Sequence, residues 1–214
     1  MPSTKREGLP SFWTTRIAKI LVGEQPCHLE AWLGGHYNLG KRVRDDNGSL
    51  VKWKANHTEM LTDAVQAFRE TGWKCDVERF FKVTGQTAIL SGKADMIATK
   101  TDLRPLIVDV KSGEPRDSDP AQVLIEMVMI PLAWNKHIMF DGLVLYANHR
   151  VALTQKDADA MRPKIFNLLK RLALASRPTA SPSEGACRFC EVSESDCPDR
   201  WAGTTAELAR TDLF

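Results

Sequence analysis

Hydrophobic positions along this chain follow two rhythms. From Trp53 to Gly72 they fall at Trp53, His57, Met60, Leu61, Ala64, Val65 and Phe68, the spacing of an amphipathic helix with His57 on its inner stripe. Asn56 and Glu59 offer a capping-box variant near its start. Ser11 to Glu24, with Ile17, Ile20 and Leu21, predicts an earlier helix, and Cys27 to Tyr37 a second short one that Cys27 enters directly after Pro26. The rhythm then changes to period two. Asp76 to Val83 and Thr87 to Thr99 read as strands joined through Gly85, and the β-branched run Leu106 to Val110, between Pro105 and Gly113, as a buried third strand of an antiparallel meander. Ala88, Leu90, Ala94 and Met96 share one parity, which sends Lys93 and Asp95 to the opposite face; the same period puts Asp109 and Lys111 on one face of the next strand.

Ala121 to Trp134 is apolar all round and predicts a buried helix lying flat on the sheet, with Asp119 as its N-cap and Pro120 in its first position. Gln122 is the polar exception in the first turn, directed back toward the end of the preceding strand. Asp141 to Leu153 supplies another core strand and the start of its neighbour. Thr154 with Asp157 opens a last helix whose buried stripe is Met161, Ile165, Leu168, Leu169 and Leu172, and Pro163 predicts a kink or a late start.

Composition narrows the class. The 214 residues, 43% hydrophobic and 26% charged, suit one globular domain with a sizeable core. A net charge of +2 carries no global polyanion signal, so affinity for nucleic acid must come from a local groove. The opening MPSTKREG lacks an apolar core, and no later run approaches membrane-spanning length, so a cytoplasmic protein without a membrane partner is expected. Asn38 to Lys54 reads as a loop in which Lys41, Arg42 and Arg44 mix with Tyr37 and Trp53. Such a mixture can track a single strand, but Asp45 and Asp46 offset its charge, and a solvated loop is the plainer reading.

The chemistry concentrates between Gly92 and Lys111. Asp95, Asp109 and Lys111 end neighbouring apolar strands, where burying each charge alone would be costly. A divalent metal held by Asp95 and Asp109, with Lys111 beside an attacked phosphate, accounts for all three, because carboxylate oxygens suit Mg2+ or Mn2+. A surface Asp–Lys salt bridge is the common explanation of an isolated DxK. The pattern resembles the RecB-like branch of the PD-(D/E)XK nuclease superfamily: Asp95 stands in GKAD and Asp109-Val110-Lys111 forms DVK, without the usual Pro before the first Asp. The resemblance implies that His57, on the helix before the sheet, joins Asp95, Asp109 and the Val110 carbonyl as metal ligands. It makes Gln122 the Gln of a QxxxY element, with Glu126 where the Tyr would stand. Glu78 reads as part of a solvated face that could approach the site.

Past the Pro- and Ser-rich linker Arg177 to Gly185, Cys187, Cys190 and Cys197 form C-x2-C-x6-C. With Cys27 they supply four thiolates, which suit zinc or an iron-sulfur cluster; disulfides are less plausible in a reducing compartment. One Cys ahead of the core and three after it resembles the iron-sulfur RecB-like nucleases, the CRISPR-associated exonucleases (the fourth Cas protein) and the AddB nuclease domain. Cys75 reads as a small buried hydrophobe, and His137 and His149 as structural.

The resemblance implies one nuclease domain over 1–214. Its helical segment 11–54 would carry the first cluster cysteine, a restriction-endonuclease-like α/β/α core with a mixed central sheet would span 55–175, and residues 186–198 would close a 4Fe-4S cluster that ties the two ends together. It implies a metal-dependent DNA exonuclease acting on single strands or ends, in CRISPR spacer acquisition or in repair, recombination or phage replication. The CRISPR integrase or recombination proteins would be its partners, and oligomerisation stays open. Two alternatives stand beside it: a non-catalytic DNA-binding or assembly subunit, and a zinc-stabilised site-specific endonuclease.

Overall fold

The computed structural model describes residues 4–39, 49–188 and 190–201. The basic loop expected around Lys41, Arg42 and Arg44, and most of the C-terminal tail, lie outside the described residues. The elements run β1 (Thr4–Lys5), β2 (Ser11–Trp13), α1 (Thr14–Leu21), α2 (His28–His36), β3 (Tyr37–Asn38), α3 (Ser49–Glu70), β4 (Lys74–Thr84), β5 (Ile89–Thr99), β6 (Leu106–Lys111), α4 (Ser118–Ala133), β7 (Asp141–Tyr146), β8 (Arg150–Leu153), α5 (Gln155–Leu172) and α6 (Glu184–Arg188).

Six strands form one open mixed sheet, and β1 pairs with β3 in a separate two-stranded ribbon. The β4–β5–β6 meander is antiparallel, as its alternation predicts. β6 then joins β7 in parallel through the α4 crossover, and β8 turns back antiparallel. Helices cover both faces. The main core gathers residues of α1, α2, α4 and α5, among them Ile17, Leu29, Ile125, Met129 and Ile165. A smaller core beneath α3 joins Leu61 and Val65 to Met96, Val108 and Val110. The result is an α/β/α sandwich. Among the described residues no helix is long and apolar enough to cross a membrane.

The sheet has a fork in it. β4 covers one edge of β5 along its length, so β2 and β6 share the other. β6 pairs only with Met96–Ala98, and β2 runs parallel to Ile89–Ser91. Between them, Gly92 to Asp95 leave an interval without a partner strand on that edge among the described residues. The alternation also breaks here: Leu90, Ala94 and Ile97 face the main core, but Met96 falls into the core beneath α3. The single parity expected for Ala88, Leu90, Ala94 and Met96 therefore does not hold. Glu78 stands opposite Asp95, drops out of an otherwise continuous ladder, and has φ 53°, a left-handed backbone that upsets the regular pleat.

Other expectations need correction. Ser11–Trp13 is a strand rather than the first turn of a helix, because pairing with β5 buries Phe12 and leaves Trp13 outside. Helix α3 begins at Ser49, so Asn56 lies well inside it and caps nothing. Helix α4 begins at Ser118 with Asp117 as N-cap, in place of Asp119, and Asp117 makes no side-chain capping bond. The cap comes from elsewhere in the chain: the Glu24 carboxylate accepts from Ser118 N–H and Oγ, both at 2.7 Å. Helix α5 starts at Gln155 behind a complete Thr154–Asp157 capping box and continues through Pro163, so there is no late start.

Helix α4 lies flat because β7 offers it a glycine. A Cβ on Gly142 would lie 2.7 Å from Val123 Cγ1 and 2.8 Å from Met127 Sδ. Gly142→Val should push α4 off the sheet and cost about 1–3 kcal/mol. Urea unfolding reads this directly, and an unchanged midpoint would contradict the packing described.

A candidate active site at the strand fork

The fork opens into a cleft of about 590 Å³ lined by His57, Asp95, Asp109, Val110, Lys111 and Gln122. These residues come from α3, β5, β6 and α4. Both helical layers contribute because the cleft lies where the sheet parts.

Asp95 occupies the gap. Its Oδ2 accepts the Val110 N–H at 2.9 Å, where a continuing β5–β6 ladder would have placed a carbonyl. Its Oδ1 lies 3.7 Å from His57 Nε2, an ion-pair contact too long for a hydrogen bond. The His57 ring stacks on Trp53, with centroids 5.5 Å apart at 15°. The Asp95 carboxylate raises the pKa of His57, and partial burial opposes it.

Asp109 and Lys111 turn toward α4. Asp109 is 1% exposed. Lys111 Nζ is 2.8 Å from Asp109 Oδ2, 3.3 Å from Gln122 Oε1 and 3.8 Å from Asp119 Oδ1. Gln122 Nε2 donates to Asp109 Oδ1 at 3.0 Å and to Glu126 Oε1 at 3.2 Å. Burial pushes the Asp109 carboxyl up to about 7 against the opposing pull of Lys111. Burial would lower Lys111, but the carboxylates around it, Asp109 first, outweigh that and raise it. Glu126 is completely buried, and burial, then the nearby Asp109, lifts its pKa well above the carboxylate range. At the position where the family resemblance puts a Tyr, the structure thus has a group sealed beneath the site. It holds Gln122 and cannot touch a substrate.

The donor set favours a hard divalent cation. Asp109 Oδ2 has Lys111 Nζ at 2.8 Å as its partner, and among the described residues Glu126 Oε2 and His57 Nδ1 are buried without hydrogen-bond partners. Two carboxylates and a main-chain carbonyl suit Mg2+ or Mn2+, and an imidazole beside them favours the transition metal of the two. Asp109 is turned to Lys111 and Asp95 to the Val110 N–H, and among the described residues no three His, Cys, Asp or Glu side chains already converge as a metal-holding group. Glu78 lies on the rim of the cleft, exposed and paired with Lys93.

Sequence reasoning missed Asp119 as a neighbour of Lys111. Its signal was present: Asp119, Gln122 and Glu126 are spaced i, i+3 and i+7 and mark one face of an otherwise apolar helix. Glu24, Lys19 and Arg116 carry no comparable local signal; only the packing of α1 against α4 brings them near the cleft.

A second constellation joins the chain ends. Cys27 at the start of α2, Cys187 in α6, and Cys190 and Cys197 beyond it line one small cavity of about 20 Å³ with Glu30 and Arg200. Arg200 donates to the Val192 and Cys187 carbonyls, and the Trp201 N–H points to Cys187 Sγ at 3.4 Å. Burial pushes the Cys190 thiol up to about 11 and raises Cys197. Four thiols from both ends of the chain have the donor chemistry of a four-thiolate centre, but among the described residues no three of them converge as a metal-holding group.

No protein-family model matches the sequence, and no curated protein matches it. Among solved structures, the fold is similar to the crystal structure of SSO0001, with TM-score 0.49 and 12% identity over 92% of this chain and 90% of that one.

The buried acids make stability fall with pH in the metal-free protein. Folded Asp109 and Glu126 hold protons that the unfolded chain releases near pH 4, and His57 and Lys111 are likewise raised. Raised folded pKa values contribute stability that is present at low pH and lost as pH rises, for Asp109 between about 4 and about 7. In EDTA the unfolding midpoint should fall across that window. Glu126→Gln, uncharged and isosteric, should flatten the fall; an identical slope in the variant would refute the assignment.

Proposed function

We propose that this protein is a Mg2+- or Mn2+-dependent deoxyribonuclease of the RecB-like PD-(D/E)XK kind, whose chain ends are tied by a four-cysteine iron-sulfur cluster. The observation that carries the reading is the convergence of Asp95, Asp109, Lys111, Gln122 and His57 in one cleft from separate elements. Asp95, Asp109, His57 and the Val110 carbonyl would hold the metal. A metal so held supplies a water of lowered pKa and a counter-charge for the scissile phosphate. Lys111 orients the attacking water and offsets charge developing on phosphorus. Gln122 fixes Asp109 and Lys111 together from one amide.

The surroundings suit a single DNA strand better than the net charge suggests. Lys19, Lys54, Lys93 and Arg116 also line the cleft. A second cleft of about 530 Å³ adjoins it, sharing Thr15, Lys19 and Arg116 and adding Trp13, Glu24, Glu30 and the Arg16–Glu191 ion pair. Among the described residues neither Lys19 nor Arg116 has an ion-pair partner within 4.0 Å, which leaves both available for phosphates. Trp13 and Phe80, 45% and 58% exposed, lie 6.2 Å apart, and Trp53 is half exposed at the metal side. Cations for phosphates and open rings for bases make a path for unpaired nucleotides. Trimming of DNA ends in spacer acquisition, repair or recombination would use such a path.

End-labelled linear and circular single-stranded DNA with Mn2+ tests the reading. Wild type should degrade the linear form and spare circles, and Lys111→Ala should lose at least about 10²-fold in rate. Cleavage of circles would change the mode to endonuclease, and intact DNA throughout would leave a binding or assembly subunit. Iron and sulfide in anaerobically purified protein, near about four of each per chain, tests the cluster. Zinc in their place would mean the zinc-stabilised form, and Cys187→Ala should be colourless and poorly soluble.

A further inference from the structure

Lys111 shares a carboxylate with the metal in the reading above, on which this inference rests. Its closest partner is Asp109 Oδ2 at 2.8 Å, and Asp109 is also a proposed metal ligand. One carboxylate oxygen cannot serve an ammonium and a divalent cation equally. Among the described residues the Lys111 nitrogen is otherwise met by the neutral Gln122 amide oxygen and one further carboxylate oxygen, Asp119 Oδ1 at 3.8 Å.

Asp119 is built to aim that oxygen. The residue is buried, and its other oxygen, Oδ2, accepts from Arg116 N–H at 3.0 Å and from Tyr146 OH at 3.0 Å. Tyr146 is itself fixed. It lies directly across the parallel β6–β7 ladder from Lys111, and its ring stacks on His149 with centroids 4.4 Å apart at 9°. Asp119 is not spent on capping Ser118, since Glu24 does that. One oxygen tied by two donors and the other facing Lys111 is more arrangement than a loop anchor requires.

We propose that Asp119, oriented by Tyr146, is a positioning residue that holds the Lys111 ammonium over the scissile phosphate when Asp109 serves the metal. Lys111 would otherwise swing on four rotatable bonds. Asp119 touches neither metal nor substrate and acts through Lys111 alone.

Asp119→Asn keeps an acceptor for Arg116 N–H and Tyr146 OH and replaces the charged oxygen facing Lys111 with an amide NH2 that cannot accept from it. Tyr146→Phe removes only the hydroxyl. With Mn2+ and single-stranded DNA, Asp119→Asn should lower kcat by about tenfold to a hundredfold with KM unchanged, and Tyr146→Phe should lower it less. The double variant should be no slower than Asp119→Asn, since both act through one carboxylate. A wild-type kcat in Asp119→Asn, an effect confined to KM, or fully additive losses would overturn the proposal. A second measurement needs no turnover: acetylation of Lys111 by a water-soluble active ester, followed by mass spectrometry in the presence of Mg2+. Lys111 should react several-fold faster in Asp119→Asn than in wild type, and equal rates would overturn the brace. If wild type fails to cut DNA but the acetylation rates differ, the nuclease reading fails and the brace stands.

Discussion

The rest of this molecule depends on a single hydrogen bond that replaces a stretch of sheet. Beyond Met96, β5 leaves β6, and the main-chain donor of Val110 would be orphaned in a partly buried place. Asp95 supplies the missing acceptor from its side chain at 2.9 Å. A side-chain carboxylate can do this only if the strands stand apart by more than the ladder spacing, and that separation is the cleft. The opening that β5 and β6 leave is closed farther on by β2, which takes the same edge of β5. A regular six-stranded sheet would have had no room for Asp95, Asp109 and Lys111 to face a common space.

Helix α4 provides the floor. Nearly all its residues are buried, so each polar group on it must find a partner within the protein. Asp119, Gln122 and one oxygen of Glu126 do so in a row, reaching Tyr146, Lys111 and Asp109, and Gln122 respectively, and the second Glu126 oxygen is the exception. The low polarity of the helix makes these contacts strong, and burial lifts Asp109 and Glu126 toward neutrality. The same burial that makes ionising these carboxyls costly at high pH places them where a divalent cation would relieve that cost. Stability and the proposed chemistry pull against one another at one place, as expected of a site poised for a ligand.

The ends of the chain are joined by a different logic. Helix α1 is fastened to α4 through Glu24 and Ser118, and α2 to the C-terminal segment through the cavity lined by the cysteines, where Glu30 also receives the Glu191 N–H. The N-terminal helices therefore bear on the crossover helix on one side and the C-terminal loops on the other. The adjoining cleft runs between these two fastenings, with Arg16 and Glu191 paired across it. A cluster that drew the four sulfurs together would tighten the walls of the proposed DNA path without entering the reaction.

The sequence alone determined what is local. The order of the β4–β5–β6 meander, the buried β-branched run of β6, the all-apolar stretch of α4, and the Thr154–Asp157 box are each written in consecutive residues, and the structure follows them. The same reading brought Asp109, Lys111 and Gln122 to one place, because a strand parity and one helical turn suffice to aim them. What it could not determine are contacts between distant segments. Ser11–Trp13 is a strand only because β5 offers an edge that β6 has abandoned. Asp119 does not cap α4, because Glu24 reaches Ser118 first. The break of parity along β5, where Ala94 and Ile97 enter the main core and Met96 the one beneath α3, is likewise not written in the spacing of its residues. Periodicity reports which side of an element is apolar; only tertiary packing decides which partner competes successfully for a given donor, and here those competitions place the site.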